Sequence, residues 1–158
     1  MDLYALLKLL HVLGATVLFG TGLGIAFFML AAHRTGDPAA VAHTARTVVL
    51  ADFLFTATAV VAQPVTGAAL AHLAGNSLLD DWIVLSLALY VFTGACWLPV
   101  VRLQMRMRDL AAQAARAGRP LPPRYHACFR AWFVLGWPAF AAVIAIFWLM
   151  LNKPRIWS

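Results

Sequence analysis

Ionisable and polar side chains inside long apolar runs are costly enough to be functional candidates, and the chain carries few of them. Lys8 and His11 lie three residues apart in a run that opens the chain, so they share one helical face. His11 is placed about 12 Å into the apolar layer, too deep for an imidazole to reach water, whereas the longer Lys8 side chain can reach the nearer boundary. Asp52, Thr56, Gln63 and Thr66 fall on a single helical stripe, which must face protein or a cavity rather than lipid. Gly67 and Pro64 lie beside it, and a glycine there would let a flat ligand or another helix approach the backbone. Ser86, Tyr90, Thr93, Gly94 and Trp97 share a face of a later run. Counted from their helix ends, Thr66 and Tyr90 reach the same depth of about 12 Å as His11, so the three are expected to bound a pocket.

The chemistry this set offers is that of a neutral imidazole nitrogen on iron, with small residues admitting a macrocycle and aromatics around it: a haem b site. The expected cofactor-binding residues are His11, Lys8, Gln63, Thr66, Gly67, Tyr90 and Ser86. His11 is the metal ligand, with His72 on the same side as a second candidate. His33, His43 and His126 gather on the opposite side among Arg and Asp residues and read as solvated loop histidines. There are no paired carboxylates, Cys-x-x-Cys, His-Glu-x-x-His or phosphate-binding glycine loop, so hydrolase and nucleotide-binding classes have no residues to support them.

The elements that must hold these residues follow from composition. Of 158 residues, 63% are hydrophobic and 11% charged, against roughly half and a quarter in a soluble domain. A span needs about 20 apolar residues. Four are expected, at about 3–32, 48–74, 82–101 and 127–151, the third continuing into water to about 117. The first is too long for the apolar core of a signal peptide and is expected to stay attached. Short connections make neighbouring spans antiparallel, so the expected fold is an all-α, up-down-up-down integral membrane four-helix bundle forming one domain. A separate soluble domain is not expected.

The 12 basic residues are divided unequally. Arg34, Arg46, Arg102, Arg106, Arg108, Arg116, Arg119, Arg124 and Arg130 lie on one side; Lys8, Lys153 and Arg155 lie on the other. Positive charge is retained in the cytoplasm, so both termini are expected outside, periplasmic in a bacterial inner membrane. The net charge of +6 is thereby explained by topology and by anionic lipid headgroups at the arginine-rich third loop, not by nucleic acid. Cys96 and Cys128 are expected to be reduced, buried thiols. Gly20 and Gly24 form a small-xxx-small pair suited to helix packing, within the bundle or in a homodimer.

The segments Lys8-Leu9-Leu10-His11, Gln63-Pro64-Val65-Thr66-Gly67, Trp137-Pro138-Ala139-Phe140 and Phe147-Trp148-Leu149-Met150-Leu151-Asn152-Lys153-Pro154 resemble a bacterial family of predicted integral membrane proteins of unknown function, domain-of-unknown-function family 2269. More distantly, the Lys-x-x-His opening and four-span layout are similar to the membrane protoporphyrinogen oxidases and the copper-resistance membrane proteins. That likeness implies a haem b or porphyrin site involving His11. In the oxidases span three opens with a tryptophan followed four residues later by a functional lysine; the corresponding pair here is Trp82 and Ser86. Two other function classes remain open: transport or metal handling along the Asp52–Thr66 stripe, and a non-catalytic assembly subunit.

Overall fold

The structure, a computed structural model, describes residues 2–157. Five α-helices make four spans: α1 (Leu3–Thr35), α2 (Pro38–Ala51) and α3 (Ala57–Leu73) in one continuous run, α4 (Asp81–Arg116) and α5 (Pro123–Asn152). All four are long and apolar enough to cross a membrane, with mean hydropathy between 1.7 and 2.2. The chain is an all-α integral membrane four-helix bundle.

Each end has a local cause. Asp2 caps α1 by accepting from the Ala5 N–H, and Gly36 ends it in the left-handed conformation at φ 68°. Asp37 then accepts from the Ala39 and Ala40 N–H groups while Pro38 takes the first helical position. This start lies ten residues before the expected second span. Residues 38–47, read as a polar loop, are helical because a strong cap is followed by helix-forming alanines, and Val41, Ala42 and Ala45 give that turn a buried face. The fourth span likewise begins earlier than expected, at Pro123.

Between α2 and α3 the helix widens into one π turn, Asp52–Thr56. The Ala57 N–H bonds to the Asp52 carbonyl, five residues back. Such turns concentrate at functional sites in helices.

Packing is uneven along the bundle. α1 lies against α2 and α3, α4 against α5, and α2 against α4, while α1 meets α5 through aromatic contacts: Phe19, whose ring lies 5.7 Å from those of Phe140 and Phe147, and His33 at the arginine-rich end. The tight core sits at the arginine-rich end, where Met29, Val41, Ala45, Met107, Ala111 and Tyr125 are fully enclosed. Towards the end that carries both termini, α1 buries no residue before Ile25. Exposed Leu9, Leu13, Val17, Phe27 and Phe28 on α1 are the surface that meets lipid. Cys96 and Cys128 are free thiols, each half-buried.

His33 departs from expectation. α1 runs through it, so its half-buried ring stacks on Phe129 at 3.7 Å and lies edge-on to His126, with Nδ1 3.3 Å from the Tyr125 hydroxyl. His43 and His126 are exposed as expected, but they lie on α2 and α5 rather than in loops.

Candidate functional site

Pairing α1 with α3 in antiparallel fashion brings the start of one against the end of the other, and this is where His11 meets its neighbours. His11 Nδ1 lies 2.9 Å from Thr66 Oγ1. The Thr66 hydroxyl has one proton and faces the Ala62 carbonyl at 2.8 Å, so it donates there and accepts from His11 Nδ1–H. That assignment leaves His11 Nε2 as the nitrogen with a free lone pair. One turn earlier on α3, the buried Gln63 amide donates to the His11 backbone carbonyl at 2.8 Å.

Two glycines make the approach possible. A methyl group on Gly67 would come within 3.2 Å of His11 Cε1, and one on Gly14 would overlap the Gln63 amide nitrogen. The space beside Gly67, expected to admit a flat ligand or another helix, is taken by the His11 ring of α1.

Tyr90 is not at the level of His11. Its hydroxyl donates to the Val60 carbonyl, six residues before Thr66 on α3. The reason is chemical: Pro64 has no N–H, so the carbonyl four residues before it loses its helical partner and needs another within the apolar layer. Tyr90 supplies it. Ser86, also buried, donates to the Trp82 carbonyl of its own helix at 2.6 Å. Lys8 is exposed, its ammonium 6.0 Å from the Tyr4 ring centre, and His72 is exposed in the last turn of α3.

The polar stripe of the second span thus divides. Thr66 and Gln63 hold α1, while Asp52 and Thr56 lie deeper, in the π turn, and face α4. Trp97 Nε1 donates to Asp52 Oδ1 at 3.4 Å, and the Gln104 side chain adjoins the same carboxyl. Gln104 escaped the sequence reading because it sits among arginines in the stretch expected to be in water. Its spacing with Val101, Met107, Ala111 and Ala114, all buried, is the signal that marks an inward face.

A family model described as "Predicted integral membrane protein (DUF2269)" matches residues 5–154. The chain belongs to this family. No curated protein and no solved structure matches it. In this DUF2269 member the resembling segments carry structural work that the geometry makes explicit. Gln63-Pro64-Val65-Thr66-Gly67 joins α3 to α1 at His11 and to α4 at Tyr90, and Lys153 closes α5 in the left-handed conformation with its ammonium 5.3 Å from the Trp82 ring centre.

Proposed function

We propose that this integral membrane protein is a haem b- or porphyrin-binding redox protein of the bacterial inner membrane, in which His11 ligates through Nε2. What supports it is the 2.9 Å separation of His11 Nδ1 and Thr66 Oγ1: with the Thr66 proton given to the Ala62 carbonyl, the ring donates through Nδ1–H, which orients it and leaves Nε2 unprotonated. Metal-bound histidines characteristically donate their other N–H to an oxygen in this way, which raises the basicity of the ligating nitrogen. The donor chemistry present would therefore suit a single imidazole ligand to iron.

His11 is half-buried, and its ring is backed by Gly67, so any macrocycle approaches from the side away from α3. Lys8, one turn nearer the terminal end, is the available cation for a porphyrin carboxylate. Haem bound there would supply one-electron chemistry. The protein's own residues hold the imidazole in one tautomer and one orientation. Tyr90 and Gln63 act through the helices: their hydrogen bonds to main-chain carbonyls hold α4 and α1 against α3, while Ser86 bonds within α4.

Visible spectra of the purified protein, expressed with ample haem, test this reading. A Soret band with sharp α and β bands after dithionite reduction is expected, lost in His11→Ala and weakened in Thr66→Val. A flat spectrum, or an unchanged one in His11→Ala, overturns it.

A further inference from the structure

Positive charge is left unbalanced in a cleft between α2 and α4. Arg46 of α2 and Arg108 and Arg116 of α4 line this cleft of about 460 Å³, within the range of about 300–1,000 Å³ typical of ligand sites. Fully buried Ala45 and Ala111 belong to one packed cluster, so the arginines beside them are carried to the same mouth. Asp109 is the one carboxylate on the lining, and it accepts from Arg108 Nε at 2.8 Å. That bond leaves the terminal amino groups of Arg108 for another acceptor. Arg46 and Arg116 have no carboxylate partner among the described residues. Three guanidinium groups against one carboxylate leave the cleft with a net charge of +2.

Depth and surroundings define what could balance that charge. Arg46 lies 27 residues before the end of α3, and Arg108 lies 27 residues after the start of α4. At 1.5 Å per residue both are about 40 Å from the terminal end, beyond a hydrocarbon layer of about 30 Å and at the depth of the opposite headgroups. Leu50, one turn nearer the bilayer on the face of Arg46, is 57% exposed, and Phe53 and Leu54 in the next turn are 53% and 55% exposed. A soluble anion would use the charge alone, whereas this adjoining apolar surface suits a molecule that carries acyl chains as well. A zwitterionic headgroup would bring a cation of its own towards the arginines. Basic pockets between helices on the cytoplasmic side are a recognised setting for anionic headgroups.

We propose that the cleft of Arg46, Arg108 and Arg116 binds the phosphate headgroup of one anionic phospholipid, whose acyl chains lie over Leu50, Phe53 and Leu54. The site is fixed between two helices, unlike a general attraction of the third loop for anionic lipid, and it does not involve His11. In its test the whole protein in uncharged detergent micelles is titrated with phosphatidylglycerol, with phosphatidylcholine of the same chains, and separately with inorganic phosphate, while the thermal unfolding midpoint is followed. The expected result is a saturable rise of several degrees with phosphatidylglycerol, a much smaller one with phosphatidylcholine and none with phosphate. Arg46→Gln combined with Arg116→Gln should abolish the difference between the two lipids. Arg119→Gln combined with Arg124→Gln removes the same charge from the connection between α4 and α5 and should leave the difference intact. All four of these arginines are exposed, so the substitutions spare the core. Coincident curves for the two lipids overturn the proposal. Equal loss in both double variants also overturns it and assigns the effect to diffuse charge, and a full response to inorganic phosphate overturns it in favour of a soluble anion.

Discussion

At the scale of single residues, several polar side chains of this bundle are committed to main-chain carbonyls. Gln63 serves His11, Ser86 serves Trp82 and Tyr90 serves Val60. The last pairing ties a tyrosine on one helix to a proline on another, and it makes a double-mutant prediction. Tyr90→Phe leaves the Val60 carbonyl without a partner in an apolar layer and should destabilise the bundle by about 1 kcal/mol. Pro64→Ala restores the N–H that closes the helical ladder onto the same carbonyl, so in that background Tyr90→Phe should cost little. Unfolding free energies of the four proteins in mixed micelles give the coupling directly; equal costs of Tyr90→Phe in both backgrounds would contradict the account. His11 differs from Gln63, Ser86 and Tyr90. Its ring nitrogen, not only its backbone, is engaged, and the partner hydroxyl leaves the other nitrogen available.

At the scale of elements, the terminal end of the bundle is held by contacts between segments distant in sequence. Asp81, in the first turn of α4, accepts from the Ile156 and Trp157 N–H groups at 2.6 and 2.9 Å, so the segment after α5 folds back across the start of α4. Asp80 and Asp81 are legible in the sequence as a helix start favoured by the macrodipole, but the acceptance of two distant backbone donors is not. Asp81→Asn retains one acceptor oxygen and loses the charge that strengthens both bonds. Hydrogen exchange of the Ile156 and Trp157 amides should accelerate by at least several-fold, with little change in the amides of α2; unaltered exchange would show that other contacts hold the segment. The π turn between α2 and α3 is a second feature of this scale. Residues 48–74 read from sequence as one regular apolar helix, since hydropathy registers the run and not a one-residue widening of its ladder.

At the scale of the whole molecule, the distribution of charge predicts orientation. The two arginine-rich connections emerge at one end of the bundle and the termini at the other. Retention of positive charge in the cytoplasm then places the termini outside, so alkaline phosphatase fused after residue 158 should be active in bacteria and a green fluorescent protein fused there should be dark. The opposite pattern would reverse the sidedness of both the His11 and Asp52 regions. The membrane class, the four spans and their antiparallel order were determined by sequence alone, because long apolar runs and short connections leave a chain in lipid almost no alternative. The pairing of His11 with Thr66 was also within reach, since their depths can be counted along rigid helices. Depth does not specify which way a helix is turned about its axis or which helix is its closest neighbour. Only the tertiary structure therefore decided that Tyr90 repairs the gap made by Pro64, that Gly67 receives the His11 ring, and that Gln104, in a stretch rich in arginine, turns inward to Asp52. Each of these depends on side chains brought together from different helices, and helix rotation and packing are set by mutual fit rather than by any one segment.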